Sequence, residues 1–472
     1  MIDTSAFKTA IIDLAVTGQL STQFHADDSV EEITTALPPL SNKRKKLLGQ
    51  SFEYGKKATL PDHWRWLCLG EISSYGDTPQ KAYFDDVSGD TWILDLEDIR
   101  SGGQIIKKTR VHGKKFIGDK TVFSEGQVLY SKLRPYLKKV LVADEDGIST
   151  PELISFDTYS GVIPQYIVYC LLSSFTDRAI EKRSYGIKMP RIDAAFMVNL
   201  PIPVPPVSEQ QFIVDRVQDA FSRIDTIDEL QTQYADNLTV LKGKLIDAAI
   251  QGKLTEQLPE DGTAEELYQQ IHSEKQALIA AGKIKKEKPV IDVDDVPHSI
   301  PDTWKWVRLG NIATVLGGKR IPAGRSLTQE DTGHKYIRVS EMKNRTVITD
   351  GLMFVPKDIY PSIAQYIINK EDVYITVAGT IGRVGKIPPE IDGANLTENA
   401  DRIVFTNLDQ DWLIICLSSS EVQKQIELLT TQVAQPKLAI KRIQEFLIPL
   451  PPLAEQKRIV QKLDEVLKMV DA

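Results

Sequence analysis

The sequence predicts a mixed α/β (α+β) protein in which two similar domains are separated by a long antiparallel two-helix coiled coil. The arrangement is an internal tandem repeat with pseudo-twofold symmetry. Three observations carry this. One phrase is written twice, as PVPPVSEQQFIV at 203–214 and PLPPLAEQKRIV at 449–460. Three more pairs match in the same order: 11–23 with 245–257, 60–72 with 300–312, and 167–174 with 413–420, the offset growing only from 234 to 246. Chance similarity scatters offsets, whereas duplication keeps them ordered. Finally, apolar residues after the first phrase step by three and four for about five heptads, the rhythm of a coiled coil.

Taken in chain order, the N-terminal half of a distal helix covers 1–20 and a linker covers 21–59. A first domain covers 60–207, a central helix 208–252, a second linker 253–299, a second domain 300–453 and the C-terminal half of the distal helix 454–472. Pro205 and Pro206 discourage helix upstream, Ser208 is placed to cap its start, and Gly252 to cap its end. Such a helix is ~65 Å long at ~1.5 Å per residue. Its seam is read as Ile213, Val217, Ile224, Ile227, Leu238, Leu241 and Leu245, with Gln231 as one polar member that either fixes register or marks a local opening. Ile459, Leu463, Val466 and Val470 continue that register at the C-terminus, and Phe7, Ile11 and Leu14 at the N-terminus, so the two chain ends together form the antiparallel partner. Aligning the copies leaves 227–234 without an equivalent, so the second helix is broken and about two turns shorter. The competing reading is a helix packed on a domain.

Ser29-x-x-Glu32 and Thr263-x-x-Glu266 have capping-box spacing, so each linker opens with a short helix. The basic stretches that follow, SNKRKKLL and GKIKKEKP, lack an apolar face and read as solvated linker, with non-specific DNA contact as the alternative. Each domain opens on a W-x-W strand with core tryptophans, Trp64/Trp66 and Trp304/Trp306. β-like runs follow at 92–96, 126–133, 140–144, 335–340, 372–379 and 402–405, and apolar helix faces at 167–174 and 413–420.

The chain carries a net charge of −8, but 101–140 holds ten Lys or Arg and two acids, which is either a solvated face or a site for a polyanion. YSKLRPYLKKV (130–140) corresponds to YITVAGTIGRV (374–384): the frame is kept and the charges differ. Two like scaffolds with unlike basic loops suggest two readers of different sequences on one long polyanion. The candidate contacts in the first domain are Lys107, Lys108, Arg110, Lys114, Lys115, Lys132, Arg134, Tyr136, Lys138, Lys139, Lys188 and Arg191. Those in the second are Lys319, Arg320, Arg325, Lys343, Arg345, Arg383 and Lys437. Tyr136 either stacks on or wedges between bases, or packs in the core.

Six histidines lack metal-ligand spacing, and three cysteines form no CxxC, so neither a metal site nor a disulfide framework is expected. GQSFEYGKKA (49–58) departs from a phosphate loop at its glycine spacing and at Lys57. No nucleophile elbow, dinucleotide fingerprint or amino-methylation motif is present. Glu341 with Lys343 leaves a nuclease open as an alternative; otherwise no catalysis is expected.

The order W-x-W-x-x-L-G, P-P-x-x-E-Q, I-D-A-A-x-x-G-K-L, then the arrangement repeated, resembles the specificity subunit of type I restriction-modification enzymes over nearly the full chain. The resemblance implies two target recognition domains, each reading one half of a split, asymmetric sequence in double-stranded DNA, with the coiled coil setting the gap. It implies two docked methyltransferase subunits and two restriction/translocase subunits, with S-adenosylmethionine, ATP and magnesium on those partners and no cofactor in this chain. It further implies a bacterial or archaeal cytoplasmic setting with no membrane. A target-recognition subunit of a related two-subunit restriction system, or a basic-looped protein scaffold, fits the same pattern less fully.

Overall fold

The computed structural model describes residues 2–21, 28–54, 58–113, 116, 118–181, 183, 190–282, 284, 290, 296–430 and 437–471. The chain divides at the middle of its central helix into units Met1–Gln233 and Tyr234–Ala472. That helix runs unbroken over Val207–Ile250.

Each unit uses the doubled phrase to lock its helix onto its domain. In the first, the strand Arg65–Cys68 pairs antiparallel with Pro201–Val204, so the W-x-W segment lies along the chain entering the helix. In the second, Lys305–Arg308 pairs likewise with Leu447–Leu450. Trp64 and Trp304 are buried immediately before the strand, while Trp66 and Trp306 are only half-buried. The Glu-Gln pair of the phrase supplies the polar stitches. Glu209, 1% exposed, accepts from Trp64 Nε1 at 2.9 Å and Ser21 Oγ at 2.6 Å and lies 2.8 Å from His63 Nε2. Glu455, equally buried, accepts from Trp304 Nε1 at 2.8 Å, Gln257 Nε2 at 3.0 Å and Thr255 Oγ1 at 3.2 Å. Gln210 accepts from Ile163 N and donates to Gly161 O and Pro205 O; Gln456 accepts from Asp409 N and donates to Pro451 O. These side chains satisfy backbone groups that burial would otherwise leave unpaired.

The helix starts at Val207, so Ser208 lies within its first turn rather than capping it, and Asp28 reaches in from the linker to accept from both Ser208 N and Ser208 Oγ. Its end is as expected. Gly252 has φ +69°, and Gly18 at the equivalent point of the N-terminal helix has φ +73°. A Cβ there would meet the Cγ of Pro301 or Pro61 at 2.5 or 2.6 Å, so the glycine and the proline of the L/I-P-D-x-W motif are one packing unit.

The N-terminal helix Thr4–Val16 lies antiparallel to the first part of the central helix. Thr4 bonds Asp228, Lys8 pairs with Asp225, and Ile2 and Gln231 exchange backbone-to-amide bonds. Gln231 thus serves as a polar clasp for the start of that helix. In the second unit Leu453–Asp471 runs antiparallel to the rest, with Lys242 on Asp471 near one end and Thr255 on Glu455 near the other. The seam itself is corrected in part. Ile213, Val217, Ile224, Ile459 and Leu463 are buried, and Ile11, Leu238, Leu245, Val466 and Val470 partly so. Phe7, Leu14, Ile227 and Leu241 are exposed; the buried line runs one residue later, through Ile12, Ala15 and Val16 and through Ile246, Ala249 and Ile250. The cause is shared burial. Asp13 accepts from Ser174 N and Asp247 from Ser420 N, each at the start of a domain helix, so these segments belong to the domain cores as well as to the helix pair. Residues 232–237 are all exposed.

The linkers are also more than solvated chain. Thr263 and Glu266 form their capping box, but Ser29 accepts from Glu31 N and no reciprocal bond from Glu32 forms. The basic stretch at 42–48 is a helix whose Arg44 is buried, donating to Gly70 O at 3.1 Å and Ser73 O at 2.9 Å. In the second unit Lys275, from the helix Ala264–Ala280, donates to the corresponding Gly310 O at 2.6 Å and Ala313 O at 2.8 Å. Two different linker helices thus bring a cation to the same pair of carbonyls at the end of a short helix, where donors are missing and negative partial charge gathers. GKIKKEKP lies almost wholly outside the described residues, as does Lys57.

The sheets complete the frame. The first unit has a three-stranded antiparallel sheet, Val140–Val142, Val128–Ser131 and Leu153–Phe156, and a five-stranded sheet whose Trp92–Leu94 and Gly147–Ser149 are parallel. The second has Val384–Lys386, Val373–Thr376, Ala400–Phe405 and Ala313–Gly317, and a four-stranded sheet whose Lys335–Ile337 and Ala394–Leu396 are parallel. The apolar helices fall as expected, Pro164–Leu172 and Gln410–Ser418.

Candidate nucleic-acid interface

In each unit the second strand of the frame runs into a loop and returns, and a hairpin packs beside that loop. In the first unit the loop is 132–139 and the turn Ser101-Gly102-Gly103 lies against it, Gly102 N donating to Lys138 O at 3.1 Å. In the second the loop is 377–383, and the hairpin is Met342–Lys343 with Thr346–Val347; Lys386 N donates to Arg345 O at 3.1 Å. Both hairpin turns place two successive residues at positive φ, Gly102 and Gly103 (+86° and +90°) or Asn344 and Arg345 (+52° and +59°). The two-part tip is therefore the same, but its cargo differs. The first unit has a glycine hairpin and a cationic loop. The second has a glycine-bracketed loop, Gly379 and Gly382, that keeps one cation, Arg383, and a hairpin that adds two more, Lys343 and Arg345.

The second tip encloses a cleft of about 450 Å³ lined by Lys343, Arg345 and Arg383 with Tyr374, Ser418 and Gln423. Three sequence-predicted cations thus converge, and Arg383 also reaches Met342 O. Close by in the fold, Arg320 pairs with the carboxylate of Glu398 at 2.9 Å, and Lys437 donates to Glu398 O at 3.2 Å. Lys319 lies over the Tyr366 ring, and Arg325 is held apart by Asp358. Glu341 is buried and accepts from Arg338 N, Arg338 Nε and Ser340 Oγ, so it is engaged within its own turn while Lys343 points out. Among the described residues no group of three His, Cys, Asp or Glu could hold a metal ion.

At the first tip Arg134 and Tyr136 are exposed and Lys132 is half-buried. Lys138 pairs with Asp177, and Arg191 forks onto Glu152 at 3.1 and 3.2 Å. Lys139 donates to Leu96 O, and burial, then the charge of Arg134, pull its ammonium below the ordinary lysine range. Lys108 and Arg110 stand elsewhere, neutralised by Asp144 and Glu145, and Lys107 is exposed. Lys114, Lys115 and Lys188 lie outside the described residues. The more exposed pairs of Lys108 and Arg110 are worth about 0–1 kcal/mol, so phosphate can compete for those two cations.

Sequence reasoning missed Asp401, a buried carboxylate on Ala400–Phe405. Burial raises its pKa to about 7 against the pull of Lys437. Since the folded value lies above the ordinary one, its contribution to stability is full below about pH 4 and is lost as pH rises through 7. Asp401→Asn is expected to raise the melting temperature of the second unit at pH 8 and leave it nearly unchanged at pH 4. Equal effects at both pH values, read by calorimetry, would contradict this.

Comparison with known proteins agrees with this geometry. The type I restriction modification DNA specificity domain matches twice, over residues 61–233 and 301–471. The specificity subunit of the type I restriction enzyme EcoAI of Escherichia coli is 25% identical, with 97% of this chain and 88% of that one covered. The MjaVIII specificity subunit of Methanocaldococcus jannaschii is 19% identical over 87% of this chain and 88% of that one. A solved chain from work on complex assembly and conformational transition of the type I R-M system shares the fold, with TM-score 0.61, 20% identity, and 88% and 93% of the two chains covered. No described helix is long and apolar enough to cross a membrane. With two matched domains spanning most of its length and the same frame built in both, the chain belongs to the type I restriction modification DNA specificity family.

Proposed function

We propose that this chain is the non-catalytic DNA-reading subunit of a type I restriction-modification complex. The domains at 60–207 and 300–453 each read one half of a bipartite, asymmetric duplex target. The central helix and its antiparallel partners set the gap between the halves and dock two methyltransferase subunits. Those partners bring S-adenosylmethionine, and two ATP- and magnesium-dependent translocating nuclease subunits complete the assembly. The observation that carries this reading is the unlike cargo of the two tips: one scaffold, built twice, presents cations mainly from the loop in one unit and mainly from the hairpin in the other, and so fits two different base sequences. Arginine can fork onto a guanine edge in the major groove, while lysines and the remaining arginines hold phosphates.

The test is to reconstitute the chain with its methyltransferase partner and map methylated adenines by single-molecule sequencing. A split motif with unlike halves is expected. Arg383→Ala is expected to weaken binding by about 1–3 kcal/mol, as for loss of one base-reading arginine, and to relax a position in one half only. An undivided motif, or Arg383→Ala with both affinity and pattern unchanged, would overturn the reading.

A further inference from the structure

The loop of the first unit has a conformation its sequence does not favour. Arg134 has φ +48° and Lys138 φ +49°, one on each side of the short 3₁₀ turn Pro135–Leu137. Residues with a Cβ avoid this region, and such strain gathers where function requires it. Here the surroundings enforce it from three sides. Arg134 N donates to Pro190 O at 2.7 Å, and Leu133 bridges Arg191. Lys138 O accepts from Gly102 N, and Lys138 Nζ is held by Asp177. Pro135 is buried beneath the turn. What this clamp holds outward is Tyr136, 61% exposed, with the exposed Arg134 beside it. The corresponding residue of the second unit is Thr380, between Gly379 and Gly382.

Resting on the DNA-reading role above, we propose that Tyr136 is a wedge that enters the base stack of the first half-site. A large flat ring on a braced turn has low conformational entropy to lose, and the neighbouring guanidinium can hold the adjoining phosphate. Wedging unstacks one base step, and that is least costly at pyrimidine–purine steps. The first half-site therefore contains a TA or CA/TG step facing Tyr136. The second half-site, met by Thr380, is read without such a wedge. The two halves are thus recognised by different physics, one by deformability and one by edge contacts.

The experiment uses the chain with its methyltransferase partner and the target found by methylation mapping. 2-Aminopurine is placed in turn at each first-half purine other than the methylated adenine. The wild type and Tyr136→Phe are expected to raise fluorescence several-fold at one pyrimidine–purine step. Tyr136→Ala is expected to lose that signal and bind roughly 10- to 100-fold more weakly, the range for loss of one base–aromatic stack. A mismatch that opens the step in advance is expected to restore most of the alanine variant's affinity. Unchanged binding and fluorescence for Tyr136→Ala overturns the wedge, as does an equal loss for Tyr136→Phe with the step still unstacked. Either result leaves the bipartite reading standing, whereas a wild-type complex that recognises no split target removes both.

Discussion

Glu455→Ala is expected to cost the second unit about 1–3 kcal/mol, the range for leaving a buried donor unsatisfied. Glu455 sits at the start of the C-terminal helix, 1% exposed, and three donors converge on it. Thr255 and Gln257 lie toward solvent and can be rehydrated, but Trp304 Nε1 is buried and cannot. The loss detaches helix from domain at the point where the W-x-W strand, the residues after the central helix and the C-terminal helix meet. Hydrogen exchange resolved by unit is the suitable measurement, because a chain of two units need not unfold in one step. Protection is expected to fall in the second unit and hold in the first. Glu209→Ala should reverse that pattern. Equal losses in both units from either variant would show that the stitches are not local.

Gly103→Ala is expected to disable the first tip while leaving the second intact, and Gly385→Ala to do the opposite. A Cβ on Gly103, at φ +90°, would stand 1.9 Å from Val140 O. One on Gly385 would stand 2.4 Å from the Arg345 backbone and 2.5 Å from Tyr374 Oη. Neither contact can be relieved by rotating a flexible side chain, because each involves backbone. Val140 and Val384 are equivalent, so both glycines guard the junction between loop and hairpin, but on opposite partners. Each substitution should separate hairpin from loop at a cost of about 3 kcal/mol, toward the upper end for overpacking. Methylation mapping is expected to show one half of the motif degenerate and the other unchanged. A motif preserved in both halves would mean that the tips do not carry the reading.

The frame was legible in the sequence because its parts are buried polar and special-geometry residues that leave little choice. Glu209 and Gln210 recur as Glu455 and Gln456, and Gly18 recurs as Gly252, since each does the same work in its unit. The seam register was right at Ile213, Val217, Ile224, Ile459 and Leu463 and off by one residue only near Ile12 and Ile246, because the periodicity was credited to one helix neighbour where these residues serve two. The hairpin half of each tip was invisible: Gly102-Gly103 and Asn344-Arg345 share a backbone shape but no side chain. Nor does sequence reveal which cations are already occupied. Arg191 and Glu152 are 39 residues apart, and only the folded chain shows that one neutralises the other.

The placement of the N-terminal helix bears on how the protein is made. Its partner is the stretch up to Gln231 and its core contacts lie within the first unit, so every residue that unit needs has been synthesised by about position 233. At roughly 5–20 residues per second, a ribosome spends another 12–48 s, approximately, on the remainder. The first half can thus bury its apolar surface before the near-copy emerges. Domains that fold in turn as they are made escape the strand and helix exchange to which repeated sequences are prone.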